Sequence, residues 1–232
     1  MTLRCLLIYT SLLGLHAWAD LPLPDGHTLS PADVSTISTA ELSGYDSQPE
    51  EVKSLINRAI ALTQKKLTYR FGSSDPTLGG MDCSGTIYRL LQDHGIKDTP
   101  RQSDEMCLWV RTRAHLHRTE DAHALDHEKF NALKPGDLLF WAATDARTER
   151  KLPITHVMLY LGKRTRDNKP IIFGSSDGRS YEGQRRCGVS IFDFKLPKAG
   201  DKTTFYGYGP VPTPEVNKKN HTPAPPRKPV QR

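Results

Sequence analysis

Residues 67–95, LTYRFGSSDPTLGGMDCSGTIYRLLQDHG, decide how the rest of the chain is read. At their centre Asp82-Cys83-Ser84-Gly85 follows a glycine-rich loop and opens a run in which Ile87, Leu90, Leu91 and His94 recur at helical spacing. Asp82 carries the short acceptor side chain of a helix N-cap, and Gly95 suits the residue that ends one. The spacing therefore predicts Cys83 in the first turn of a helix. There the unpaired backbone N–H groups and the helix dipole favour thiolate over thiol, and the thiolate is the attacking species in cysteine chemistry. A cysteine taken alone is more often a small buried residue. The loop, the cap and a later Thr155-His156 strand favour the nucleophile.

The chain has 232 residues, which suits one domain of moderate size with appendages, and its 37% hydrophobic content is that of an ordinary core rather than a membrane protein. The formal charge of +6 is a mild basic excess, part of it carried by Lys218, Lys219, Arg227, Lys228 and Arg232. Such a surface attracts anionic partners such as wall glycans, membrane headgroups or nucleic acid. No nucleic-acid motif is present, so no specific nucleic-acid partner is expected. Residues 1–19 read as a secretory signal, with Arg4, the apolar run CLLIYTSLLGL and a cleavage site at Ala17-Trp18-Ala19 before Asp20. The run is too short to span a bilayer, and Cys5, directly after Arg4, does not resemble a lipid-attachment cysteine. The expectation is an exported protein of the periplasm or cell envelope. Export leaves Cys83, Cys107 and Cys187, an odd number that points to one reactive thiol with the other two paired or free.

Between 20 and 46 the chain is rich in Pro, Ser, Thr and Asp without a sustained period and reads as a linker, with room for one short helix after Pro31. A capping box at Ser47 and Glu50 then opens a helix over 48–65, whose apolar face is Val52, Leu55, Ile56, Ala59, Ile60 and Thr63. After Pro100-Arg101, Ser103 caps a further helix through Met106, Trp109 and Val110. Residues 113–129 are polar and hold His115, His117, His123 and His127. His123 and His127 stand four apart, as helical metal ligands do, but without a neighbouring cysteine a solvated helical insertion is the expectation, and no metal is assigned. LLFWA, ITHVMLYLG, PIIFGSS, GVSIFDF and TTFYGYG read as strands. In the second of these, His156, Met158 and Tyr160 share one face, and Val157, Leu159 and Leu161 the other. Helices followed by consecutive strands predict an α+β domain with an antiparallel sheet over 47–208. From 209 to 232 the chain is Pro-rich and basic, the composition of a disordered tail.

A cysteine nucleophile needs a group to hold its proton and donors for the developing oxyanion. Cys83 at a helix start and His156 at a strand start are the pair in strong local contexts. In order along the chain stand Tyr69-x-x-Gly72, Asp82-Cys83-Ser84-Gly85, Pro100-Arg101-x-Ser103, Lys134-Pro135-Gly136-Asp137-Leu138, His156-Val157 and Tyr160-Leu161-Gly162. In these landmarks the chain resembles the NlpC-type family of papain-like bacterial cysteine peptidases that cut cell-wall peptides.

The resemblance implies a papain-like α+β fold, with N-terminal helices packed on an antiparallel sheet. It implies Cys83 as nucleophile and His156 as general base. An oxyanion site near the Cys83 backbone and Tyr69 is implied as well, with Asp82 and Ser84 lining the substrate cleft. Arg101 reads as an ion-pair partner. Two positions depart from the family pattern. The second of two adjacent glycines is Ser73. The histidine that commonly orients the base is replaced by Phe173, which accepts no hydrogen bond, so Ser175, a backbone carbonyl or a water is left as the third group. The resulting expectation is an exported cysteine endopeptidase acting on peptidoglycan stem peptides at the bond between γ-D-glutamate and the diamino acid, with no cofactor. The alternatives are an amidase or acyltransferase of the same superfamily, or a wall-binding protein whose catalytic site has decayed.

Overall fold

The computed structural model describes residues 33–119, 121–144 and 150–213. Residues 1–19, which read as a secretory signal, and nearly all of the basic stretch 209–232 lie outside these residues.

Three helices precede the sheet. α1 (Glu50–Thr63) buries Leu55, Ile56, Ala59, Ile60 and Thr63, and Val52 packs at the edge of that face. Its start is not the capping box expected at Ser47. The N-cap is Pro49, and Ser47 Oγ donates to the Gly44 carbonyl at 2.8 Å. A residue that precedes proline is pushed out of the helical region, so the helix cannot begin before Pro49. A capping box does form earlier, between Ser38 and Glu41. A short parallel pair, β1 (Thr68–Tyr69) and β2 (Gly80–Met81), leads into α2 (Cys83–Asp93), followed by α3 (Ser103–Arg113).

The main sheet contains β3 (His117–Arg118), β4 (Asp137–Ala143), β5 (Ile154–Lys163), β6 (Pro170–Ser176), β9 (Gly188–Asp193) and β10 (Thr203–Pro210), in the order β3-β10-β4-β5-β6-β9. Every neighbouring pair is antiparallel. A two-residue ribbon, β7 (Ser180–Tyr181) with β8 (Gln184–Arg185), fills the connection from β6 to β9. This is the α+β architecture that the sequence predicts. The period-two alternation divides the strands as expected. Val157, Leu159 and Leu161 join Leu138, Phe140 and Phe173 under the helices, while Met158 and Tyr160 join Leu139, Trp141 and Phe192 on the other face.

Three boundaries differ from the sequence reading. The stretch assigned to the linker is packed from Ser35 onward, because Ile37 and Leu42 enter the core and Ser35 bonds to Ser190 and Ile191 of β9. The histidine-rich stretch is not a helix. His117 and Arg118 pair with β10, a short 3-10 turn covers Glu128–Phe130, and Ala122 and Phe130 roof the second core cluster. His127 caps that turn, its Nδ1 accepting from Lys129 N–H at 3.2 Å, and His117 stacks on Tyr208 at 4.9 Å. Finally, β10 runs through Gly209 and Pro210, both placed in the tail by composition.

Candidate active site

The ladder between β5 and β6 ends at Leu159↔Phe173, although β5 begins at Ile154 and β6 continues to Ser176. The two strands part there, and the start of α2 occupies the opening. Cys83 Sγ lies 3.9 Å from the Thr155 carbonyl, and the Val157 N–H is directed at the same sulfur. The candidate nucleophile therefore rests on the backbone on both sides of His156. The sequence places these residues more than seventy positions apart, and only the parting of two strands joins them.

Asp82 caps the helix as its position predicts, accepting from Gly85 N–H at 2.5 Å. Its other oxygen accepts from Gly72 N–H at 2.8 Å. Arg101 closes on the same carboxylate through both terminal nitrogens, at 3.2 and 3.0 Å, and donates to Ser84 Oγ at 2.8 Å. One carboxylate thus joins the 70–80 loop, the helix start and Arg101. Gly85 has a steric requirement in this arrangement, since a Cβ there would stand 2.0 Å from the Ser73 carbonyl. Ser73 itself replaces the family's second glycine without strain, as only Gly72 of the pair has positive φ.

A cavity of about 250 Å³ opens over the sulfur, lined by Tyr69, Phe71, Asp82, Ser84, Arg101 and Arg150 among others. Tyr69, Asp82 and Ser84 are therefore brought to Cys83 as expected. Arg150 and Ser103 were not foreseen as cleft residues. Ser103 is the first residue of α3 rather than its cap, and its hydroxyl reaches the Ile154 carbonyl at 3.3 Å. Arg150 donates to Ser103 Oγ and to the same carbonyl at 3.3 and 3.1 Å, which holds the chain entering β5. Burial raises the Tyr69 hydroxyl well above the usual tyrosine range, so it remains protonated and able to donate.

The electrostatics of Cys83 run against the helix-dipole expectation. Burial, followed by the neighbouring Asp82 charge, raises its thiol above the ordinary value of 9.0; the N–H groups of Val157, Ser84 and Cys83 oppose this without reversing it. The dipole acts on a sulfur already withdrawn from water, where desolvation of the anion is the larger effect. His156 is shifted the other way. Burial, with Arg179 second, holds its imidazole well below 6.5. At neutral pH Cys83 is therefore held as a thiol and His156 as a neutral imidazole.

Ser175 does not orient His156. It is fully buried, and its hydroxyl donates to the Met81 carbonyl at 2.7 Å. Phe173, in the family's histidine position, packs in the helix-side core and is fully buried as well. His156 Nε2 is sealed from solvent without a hydrogen-bond partner, and its ring meets Trp141 edge-on at 5.6 Å between centroids. Arg179, which the sequence reading passed over, lies over the other side of this group, its guanidinium carbon 4.4 Å from the Trp141 ring centroid. A Gly- and Arg-rich loop gave no local signal of that placement. Cys83, Cys107 and Cys187 are all free thiols; Cys107 is fully buried in the core and Cys187 half-buried. Among the described residues no cluster of three metal-ligating side chains occurs, and no helix is long and apolar enough to cross a membrane.

A sequence model of the NlpC/P60 family matches residues 66–181. No curated protein matches the chain. Among solved structures, the chain is similar to a lipoprotein-like protein of the NLP/P60 family from Staphylococcus aureus, at 20% identity and a TM-score of 0.45 over 72% of this chain. The match spans 43% of that protein's chain.

Proposed function

Because the chain belongs to the NlpC/P60 family, a family of cell-wall hydrolases, we propose that it is an exported cysteine endopeptidase of peptidoglycan stem peptides. The bond cut is the one between γ-D-glutamate and the diamino acid. The observation that carries this reading is the seating of Cys83 at a helix start against the backbone around His156, beneath a cleft lined by Tyr69, Asp82 and Ser84. Export rests on the signal-like residues 1–19. The basic tail would hold the enzyme near an anionic wall.

In the proposed reaction the Cys83 thiol gives its proton to His156 as the sulfur attacks the amide carbonyl carbon. Proton transfer accompanies attack, because the resting pair is neutral. Nε2 is sealed away, so Nδ1 is the end of the imidazole that exchanges the proton. The oxyanion is met by the backbone N–H of Cys83 and the Tyr69 hydroxyl. As the C–N bond breaks, His156 protonates the leaving amine. Water then attacks the thioester, giving its proton to His156, which returns it to the departing sulfur.

Digestion of defined muropeptides with product identification by mass spectrometry tests the reading. The expected products are a peptide ending in D-glutamate with a free γ-carboxyl group and one beginning with the diamino acid. Cleavage elsewhere would favour the amidase or acyltransferase reading. The unpartnered Nε2 of His156 favours a second reading, a wall-binding protein with a decayed site. That reading predicts binding to sacculi without any product or acyl-enzyme.

A further inference from the structure

The register of β4 on β5 sets Trp141 opposite His156. Cross-strand partners project to the same face of a sheet, and here the two rings meet edge-on, 5.6 Å between centroids. The register shifts directly afterwards: Ala142 pairs with Ile154, which leaves Thr155 as the extra residue of a bulge. A bulge re-aims the side chains beside it, and the Thr155 carbonyl is the one that faces Cys83 Sγ. Trp141 is fully buried. Phe205 and Phe194 stand edge-on against it at 5.1 and 6.2 Å, which leaves the indole little room to turn. Arg179 packs over the same indole, its guanidinium carbon 4.4 Å from the ring centroid. The loop that carries it is held by its own ribbon. Arg186 N–H donates to the Arg179 carbonyl at 2.7 Å, β7 and β8 pair directly beyond, and Glu182 at their turn is bonded to Arg164. Burial lowers Arg179 to about 10, so it is charged at neutral pH, and no carboxylate pairs with it among the described residues.

A histidine base needs a fixed ring plane and a defined proton affinity. A polar third group ordinarily supplies both. Phe173 and Ser175 supply neither here, and Nε2 is sealed without a partner. Of the titratable groups around the cleft, Cys83 faces the histidine from α2 as a thiol, and Tyr69 on β1 stays neutral. Asp82 is paired with Arg101, and Arg150, just before β5, is turned to Ser103 and the Ile154 carbonyl. The exposed Asp177 favours the charged form of Arg179. Arg179 is the charge that bears on His156, and it disfavours the imidazolium. A guanidinium stacked flat on an indole is a pre-organised cation rather than a mobile one.

We propose that Trp141 and Arg179 are positioning residues that stand in for the missing third group, Trp141 fixing the imidazole plane by packing and Arg179 locking the indole and setting a positive charge beside the base. The inference rests on the hydrolase reading and states how its base is held. The same charge attracts the negative charge that grows on Cys83 during attack. It also makes the imidazolium, once formed, a stronger acid towards the leaving amine.

Arg179→Met and Arg179→Lys separate the charge from the packing. The readout is kcat/KM against pH on one stem peptide, with the full chain. The acidic limb of the wild type lies below pH 6.5. In Arg179→Met the limb moves to higher pH and kcat falls on the order of tenfold or more. Arg179→Lys keeps the limb near its wild-type position and recovers part of kcat. A limb that stays in place in Arg179→Met, or that moves equally in both variants, overturns the proposal. Trp141→Leu removes the platform under Arg179 and moves the limb in the same direction; should it not fold, the Arg179 pair decides alone. If the wild type cuts no stem peptide, the hydrolase reading fails by itself. Carbon-13 NMR of the histidine rings, with the His156 signal identified by its loss in His156→Ala, then follows the titration without turnover. The His156 midpoint rises in Arg179→Met and holds in Arg179→Lys, and a midpoint equal in wild type and Arg179→Met overturns the proposal.

Discussion

The Ser175 hydroxyl donates to the Met81 carbonyl at 2.7 Å, across the opening where β5 and β6 part. Met81 ends β2 and immediately precedes Asp82 and Cys83. Ser175 therefore fixes the chain that delivers the nucleophile, and it acts on position rather than on the histidine. The same carbonyl also accepts from the Arg70 N–H at 3.2 Å, so Ser175 ties β6 to a carbonyl that the 70–80 loop already holds.

From that bond, Ser175→Ala is expected to cost about 1 kcal/mol of stability, the net worth of one hydrogen bond, since the Met81 carbonyl keeps the Arg70 N–H. The maximal rate should fall while the pH–rate profile keeps its shape, since no group contacting the imidazole has changed. A profile displaced along the pH axis would return Ser175 to the role of orienting group. Phe173→His should not rescue the variant. The new imidazole would face the helix-side core rather than His156, and a lowered Tm is the expected result.

Cys83→Ala and His156→Ala should each lower stem-peptide hydrolysis by at least about a thousandfold while the fold is retained. Cys107→Ala acts only through stability, by about 1 kcal/mol for a small buried group. Because burial raises the Cys83 thiol, its alkylation by iodoacetamide should climb through an inflection above pH 9, with no plateau near neutrality. A plateau between pH 5 and 8 would reveal a thiolate–imidazolium pair instead.

Gly85→Ala should disable the protein more severely than a mid-helix alanine would suggest. The added Cβ falls 2.0 Å from the Ser73 carbonyl, a backbone atom that cannot swing aside. Either the 70–80 loop or the start of α2 must move, and with it the Gly72 and Arg101 contacts of Asp82. Loss of activity with a drop in Tm of several degrees is expected, measured by thermal denaturation alongside hydrolysis. Normal activity would mean that the loop is not held against the helix.

Asp137 sets a pH dependence of stability. Burial pushes its carboxyl up to about 6, against the partial relief of the Lys134 N–H that it accepts. The folded state thus holds this proton more tightly than the unfolded chain, whose value is near 3.8. Its stabilising contribution is complete below about pH 4 and is lost as pH rises towards 6 and beyond. Asp137→Asn retains an acceptor for Lys134 and does not ionise. Relative to wild type it should gain on the order of 2 kcal/mol between pH 4 and 7. Tm measured across that range checks this, and a constant difference between the two proteins would refute it.

The local periods of the chain determined much of its structure. The apolar face of α1, the start of α2 at Asp82-Cys83 and the two faces of β5 follow from spacing alone, because a helix and a strand each impose a fixed repeat on whichever side is buried. Asp82 as a cap was equally legible, since its role is played within three residues. What the sequence left undecided depended on neighbours distant along the chain. The thiol pKa is set by burial beneath β5, which outweighs the dipole of its own helix. Ser175 and Phe173 occupy one strand, but where their side chains end depends on the parting of β5 and β6. Arg179 joins the site because a loop with no periodic signal folds it onto Trp141. A local repeat reports which side of an element is buried; what it is buried against is fixed only when the sheet and helices assemble.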